Sequence, residues 1–512
     1  MIAPVYVCYL LQPAAGTFHD DGVYLVNAFS LATGHGYRTI SLPMNLYQTK
    51  LPFLHPVLLA LVWKLFPVFP ANLVALRMLS LSATVLWAYT TYRLALREMN
   101  DSILARWIAV MLLTFPWVLF LSTTTMPETL FGVTSTASLL MFDRNIDAPR
   151  GWRLLAGAVL AGASFLFRSA GIALIISWLF LLFRRKQWIS AMIFFLVVAT
   201  LVGPWLAWQG VHPATNDPVG AYYTKLNYQT NSVLSSHSAA HMFRVIALNA
   251  VVALISCCPL SALGSNFWSA IFSLLAGLVC VGGWIGYASK RGLTLPIVWF
   301  AASLAMILCM MFGLVRYQVP LLAVTLILFG NGIMILLGYF RRHAVTGAIA
   351  VLAVCSIGNV ADLFTLRRLT IQRESPTWTI TPADSWSKTM QTVSWLHQNI
   401  SRNAVVGANC DPIIFLYSGR KAIRLFSQDN YKLFFDASPN KLPLGSPERL
   451  KSHLKANRIS YIVMTPMAHY PEAPFLRKQL ESLMLASPAA FHVAKRFDDP
   501  EFYILKVDRS KL

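Results

Sequence analysis

Apolar positions in this chain fall mostly in long unbroken runs, and short polar clusters mark where each run stops. The first run, residues 1–11, is short against the roughly 20 residues a spanning helix needs. It has no basic leader or cleavage site, which speaks against a removable signal peptide. Further runs occupy residues 71–96, 102–122, 129–142, 152–167, 171–183, 188–209, 244–268, 271–288, 295–314, 319–340 and 344–362. Two segments differ. Residues 21–33 place Val23, Val26, Ala28 and Leu31 among polar positions, and residues 53–66 carry His55, Pro56 and Lys64. Both patterns predict helices lying in the membrane interface plane. From Leu363 the pattern becomes that of a small α/β layer. It predicts a helix from Ser385 to His397, strands at 403–407, 461–464 and 502–507, a turn at Ser418-Gly419-Arg420, and a helix over 447–457. The expected organisation is a membrane domain over 1–362, with an active-site loop at 17–52 and an outer loop at 210–241, followed by an extracytoplasmic α/β domain over 363–512.

Composition agrees. Hydrophobic residues are 56% of the chain, charged residues 12%, and the mean hydropathy is +0.56. An ordinary soluble domain carries about twice that charge. The net charge of +21 therefore reports topology and contact with anionic lipid rather than nucleic acid, and it also suits a phosphate-bearing substrate. The seven Cys sit mostly inside apolar runs with no metal-ligand or disulfide spacing, as small core residues do.

Basic loops set an orientation. Arg97, Arg144 with Arg150 and Arg153, Arg184 to Lys186, Lys290-Arg291 and Arg341-Arg342 are all cytoplasmic only if residues 244–263 do not cross, giving about eleven spans. That count gathers the acidic loop, Glu128, Arg168, the Tyr-rich loop, Arg316 and the C-terminal domain on the outer face.

The candidate chemistry lies on that face. Asp20 and Asp21 follow the first apolar segment, where hydrocarbon would be costly and the water interface is not. A carboxylate partly desolvated there, with its pKa raised by an adjacent acid, can take a proton from a substrate hydroxyl. The bland alternative is a solvated acidic loop. Glu128 reads as a second acid or as a first-turn helix charge. Lys50 reads as a phosphate ligand or a snorkelling anchor, and Arg168 and Arg316 as phosphate ligands or caps on helix carbonyls. Tyr222, Tyr223 and Lys225 could line an acceptor entrance or belong to an interfacial aromatic belt. His19 and His55 read as interfacial hydrogen-bonders, their spacing not being that of a metal site.

Asp20-Asp21-Gly22-Val23-Tyr24, with Ala28, Gly34 and Gly36-Tyr37, resembles the first outer loop of the GT-C membrane glycosyltransferases, a group including bacterial lipid A aminoarabinose transferases and protein O-mannosyltransferases. Lys50-Leu51-Pro52 is similar to the Lys-Pro-Pro segment of the aminoarabinose branch. Met126-Pro127-Glu128 resembles its second acidic site, Arg168-Ser169-Ala170-Gly171 an Arg-Pro-x-Gly turn, and Arg316-Tyr317 with Pro320 an Arg-Tyr-x-x-Pro turn. Trp395-Leu396, Ala404-Val405-Val406, Tyr417 to Arg420 and Tyr461-Ile462-Val463 resemble the periplasmic domain of bacterial members. The chain departs in its Asp-Asp pair, in Leu51 and in Ser169-Ala170, which leaves the subfamily open.

The resemblance implies a polytopic α-helical GT-C-like membrane protein of the cytoplasmic membrane. It implies inverting transfer of a sugar from a polyprenyl-phosphate donor to a lipid, glycan or protein acceptor on the outer face. Asp20 is then the first choice of base and Asp21 the second, with Lys50, Arg316 and Arg168 holding the donor phosphate. No metal ligand is assigned, although a carboxylate pair beside phosphate could accept a divalent cation. The rival readings are a lipid-linked saccharide transporter, which would show inverted repeats and charges within spans, and a membrane-anchored scaffold.

Overall fold

The computed structural model describes residues 3–12, 14–142, 151–215, 218–225, 239–256, 267–310, 315–340, 343–371, 383–425, 447–464, 473–498 and 502–512. Arg144, Arg150, Tyr228, Cys257, Cys258, Arg341 and Arg342, part of the 210–241 loop, and the end of the 244–263 segment lie outside the described residues.

Apolar runs become helices, and among the described residues five are long and apolar enough to cross a bilayer: Leu73–Met99, Trp188–Val211, Ile271–Arg291, Arg316–Leu336 and Ala344–Phe364. A sixth is broken. Ser102–Thr114 and Pro116–Ser122 meet at 62°, because Phe115, preceding a proline, is pushed into the extended region at φ −68°, ψ 121°. Among the described residues, length and composition thus give five or six spans rather than about eleven. The difference lies in helices such as Trp152–Phe167, Ser169–Arg184 and Leu295–Leu308. At 1.5 Å per residue they fall short of a hydrocarbon core of about 30 Å.

The first of the two expected interface helices is not peripheral. In Asp20–Ala32, every residue from Asp21 to Ala28 is buried, because the membrane bundle covers one side and the C-terminal domain another. Tyr24, Leu25 and Ala28 join the bundle core while Val23 packs with the C-terminal sheet. Leu54–Leu65 does keep an outer apolar face, with Leu61 and Leu65 exposed and Leu59 and Trp63 buried. A short hairpin, β1 (Arg38–Thr39) and β2 (Leu46–Tyr47), closes the Gly-rich turn.

The last long helix, Ala344–Ile371, runs past the composition change at Leu363. Beyond it, among the described residues, five strands form one mixed sheet: β3 (Val405–Gly407), β4 (Lys421–Ile423), β5 (Ile459–Met464), β6 (Phe491–Arg496) and β7 (Tyr503–Val507), in the order β4-β3-β5-β7-β6. The β3 pairings with β4 and β5 are parallel, and those of β7 with β5 and β6 antiparallel. Successive residues face opposite layers. Val405, Ile462 and Leu505 join one cluster and Val406, Val463 and Ile504 the other, so helices cover both faces. The sequence pattern missed β4, β6 and the helix Ala473–Ala486. β6 is an edge strand whose Lys495 and Arg496 hide the alternation.

The sheet is seated directly on the acidic loop. Helix Asp411–Ser418 leads with Pro412 and Ile413. A Cβ on Gly22 would lie 2.6 Å from Pro412 Cβ, and one on Gly16 2.9 Å from Ile413 Cγ1. Glycine at both positions therefore permits the approach. Ala422 N–H donates to Ser41 O at 2.9 Å, and Lys421 Nζ to Asn45 Oδ1 at 2.9 Å.

Candidate active site

Asp20 and Asp21 open one helix, and consecutive helical positions point about 100° apart, so the two carboxylates part company. Asp21 turns back into its own loop. Its Oδ2 accepts from Gly16 N–H and its Oδ1 from Phe18 N–H, both at 2.8 Å, and it is 3% exposed. Burial raises its pKa while these N–H groups pull the other way. His19, just before the pair, holds φ 61°, ψ −59°, a conformation costing ~1–3 kcal/mol for a non-glycine residue.

Asp20 turns toward the bundle. Arg316 Nη2 donates to Asp20 Oδ2 at 2.5 Å, and the Arg316 guanidinium also lies 5.2 Å from the Phe18 and Tyr317 ring centroids. Burial alone would raise the Asp20 pKa, but the charge of Arg316, its hydrogen bond and the charge of Lys50 carry it well below the usual carboxylate range. The expectation of a raised Asp20 is thus corrected: its surroundings are cationic, and its acidic neighbour faces elsewhere.

Lys50 is fixed by the chain around it. Gln48 Oε1 accepts from Lys50 N–H and Leu51 N–H at 2.9 and 3.1 Å, and Trp208 Nε1 donates to Gln48 O at 3.0 Å. Thr49 Oγ1 donates to Thr224 O at 2.8 Å. The ammonium donates to Tyr222 O at 3.0 Å and lies 4.5 Å from the Tyr222 ring centroid. Burial lowers the Lys50 pKa, and the charge of Asp20 offsets part of that.

Glu128 is fully buried at the start of helix Glu128–Met141 and pairs with Arg168 Nη1, which follows helix Trp152–Phe167. Arg168 lies 5.5 Å from the Tyr317 centroid, so Tyr317 adjoins both arginines. Tyr24 is within electrostatic reach of both ion pairs. The sequence candidates Asp20, Lys50, Glu128, Arg168, Arg316, Tyr222 and Tyr223 therefore share one neighbourhood, with Asp21 buttressing it. Lys225 lies just past helix Pro218–Thr224, its N–H bonded to Ala221 O at 2.9 Å.

Three participants carried little sequence signal. His19 Nε2 meets Asp411 Oδ1 at 3.1 Å, and the guanidinium of Arg424 lies 4.5 Å from the Tyr222 centroid. Asp411 and Arg424 come from the C-terminal domain, almost four hundred residues on from the acidic loop. Spacing could not have found them. His55 donates from Nε2 to Thr125 O at 2.9 Å, as a buried structural residue. Among the described residues no three His, Cys, Asp or Glu side chains converge on a common point.

No family model matches this sequence, and no curated protein does. Solved structures do match. The structure of ArnT from Cupriavidus metallidurans bound to undecaprenyl phosphate superposes with a TM-score of 0.57 at 13% identity, over 99% of this chain and 97% of that one. The archaeal oligosaccharyltransferase AglB from Archaeoglobus fulgidus, in complex with an inhibitory peptide and a dolichol-phosphate, gives 0.54 at 13% identity, over 91% and 68%. The fold is therefore GT-C-like, a polytopic helical membrane protein with a small C-terminal α/β domain.

Proposed function

We propose that this chain is an inverting glycosyltransferase of the cytoplasmic membrane, moving a sugar from a polyprenyl-phosphate carrier to a lipid, glycan or protein acceptor on the outer face. The observation that carries this reading is the Asp20–Arg316 pair with Lys50 beside it: one carboxylate and two cations in a largely buried site. That the fold is shared with proteins whose structures hold undecaprenyl phosphate or a dolichol-phosphate supports the choice of donor.

The acceptor oxygen or nitrogen attacks the anomeric carbon as the carbon–oxygen bond to phosphate breaks, its electron pair staying on the phosphate. Asp20 receives the acceptor proton, while Arg316 and Lys50 stabilise the charge growing on the departing phosphate. The donor phosphate competes with Asp20 for the Arg316 guanidinium. Binding of donor thus loosens the pair and makes Asp20 more basic when a base is needed. Arg168, neutralised by Glu128, holds the far side of the phosphate region. In this reading residues 1–362 form the catalytic membrane domain, and residues 363–512 face the periplasm or exterior.

Transfer of labelled sugar from cell-derived polyprenyl-phosphate sugars to endogenous acceptors, in membranes containing wild type or Asp20→Asn, tests the reading. Protein-dependent transfer that collapses in a well-inserted Asp20→Asn supports it. No transfer above membranes lacking the protein moves the assignment to lipid-linked saccharide transport or scaffolding.

A further inference from the structure

The acidic loop is tied to the C-terminal domain by polar contacts that the donor-side chemistry does not use. Asp411 is fully buried in the first turn of its helix, where the helix N-terminus favours a carboxylate. His19, 3% exposed, presents Nε2 to Asp411 Oδ1 at 3.1 Å and Nδ1 to the Tyr222 hydroxyl at 3.4 Å. The Tyr222 and Tyr223 rings stand 5.3 and 5.9 Å from the imidazole. A carboxylate cannot donate, so Nε2 carries a ring proton, and in the neutral imidazole that tautomer leaves Nδ1 as the acceptor. Nδ1 then accepts from the Tyr222 hydroxyl, whose oxygen keeps its capacity to accept.

We propose that the C-terminal domain sets the hydrogen-bond polarity of the acceptor side of the site, Asp411 orienting His19 and His19 orienting the Tyr222 hydroxyl so that its oxygen accepts from the incoming hydroxyl or amine. Asp411 and His19 are positioning residues in this scheme, and Tyr222 selects for a group that donates. The inference rests on the transferase reading. Two structural facts make the arrangement more than an interdomain tie. Gly16 and Gly22 bring the Asp411 helix onto the loop at distances a side chain would forbid, and the same Tyr222 ring is bracketed by Lys50 and Arg424, each 4.5 Å from its centroid. The tyrosine at the end of the chain is thereby held beside Asp20, whose charge reaches it.

The groups facing His19 are Asp20 on its own helix, Asp411 from the C-terminal domain, and Tyr222 and Tyr223 from helix Pro218–Thr224, with Lys50, Arg316 and Arg424 around them.

The experiment measures transfer in membranes at saturating polyprenyl-phosphate sugar while the extracted endogenous acceptor fraction is titrated, and separately titrates the donor. Asp411→Asn, whose amide can turn its NH2 to Nε2 and impose the opposite tautomer, and Tyr222→Phe are each expected to raise acceptor half-saturation roughly tenfold, the loss of one hydrogen bond. Donor half-saturation stays unchanged. The double variant falls no further than either single one, because both break one chain. Asp411→Asn with wild-type acceptor and donor dependence overturns the inference. If that variant does not insert, an unchanged Tyr222→Phe overturns it instead. Absence of transfer by wild type overturns the transferase reading and this inference with it, whereas active wild type with indifferent variants overturns this inference alone.

Discussion

Arg316 Nη2 lies 2.5 Å from Asp20 Oδ2, joining two residues 296 positions apart in the one ion pair that the proposed chemistry must break. Both partners are largely enclosed, at 9% and 26% side-chain exposure. The pair couples the charge state of the proposed base to the occupancy of the phosphate site.

The pH dependence follows from that pair. A carboxylate whose folded pKa is depressed adds stability above its unfolded pKa, near 4, and loses it as pH falls through the lower folded value. Asp20 therefore stays ionised from pH 5 to 8, and donor-free enzyme should show no acid limb from it there. In Arg316→Gln the first of the opposing charges is gone while Lys50 remains, so burial pushes the Asp20 pKa back up. The expected outcome is a new acid limb in the transfer profile of Arg316→Gln, together with weaker donor saturation. Identical profiles for variant and wild type would remove Arg316 as the group controlling Asp20.

The two adjacent aspartates should separate by phenotype. Asp20→Asn is expected to lower transfer 10²- to 10⁴-fold, the range for loss of a general base, and to lose stability as well, because Arg316 is left without its carboxylate. Asp21→Asn sets an amide NH2 against one of two backbone N–H donors and should cost ~1–3 kcal/mol of stability. Thermal unfolding in detergent alongside transfer rates checks both, and an Asp21→Asn as stable as wild type contradicts the buttress.

Removing Arg168 strands Glu128, which is 0% exposed. Breaking a buried pair from one side costs about 3 to 5 kcal/mol, so Arg168→Gln should unfold at clearly lower temperature. The double variant Arg168→Gln with Glu128→Gln should recover part of that loss. A double variant no better than the single one would show that the pair is not what Arg168 contributes.

Gly22→Ala carries no charge yet should impair both stability and transfer, because its Cβ would sit 2.6 Å from Pro412 Cβ. Overpacking of this kind costs ~1–3 kcal/mol. Adding Pro412→Gly should cost less than the two separate effects summed, since the clash is shared. Strict additivity would place the strain elsewhere.

Much was legible in the chain itself. Apolar runs announced the helices, because a lipid-facing segment must be apolar along its whole length, and the acidic pair with the tyrosine after it marked the loop on which the site is built. Val405–Gly407, Ile459–Met464 and Tyr503–Val507 were visible as strands because their apolar residues are buried on both faces. Span count was less legible, since run length does not say how far a helix extends, and β6 hid behind its edge charges.

What only the tertiary structure decided is which charges meet. The sequence set two aspartates side by side and suggested that each raises the other's pKa. Helical geometry sends Asp21 to the Gly16 and Phe18 N–H groups and Asp20 to Arg316. Asp411, Arg424 and the role of His19 had no local signature, because a partner hundreds of residues away leaves no periodicity in the chain. Sequence fixes the kinds of side chain that stand at each surface, and a carboxylate's chemistry is then decided by the charges and donors that folding brings within a few ångströms.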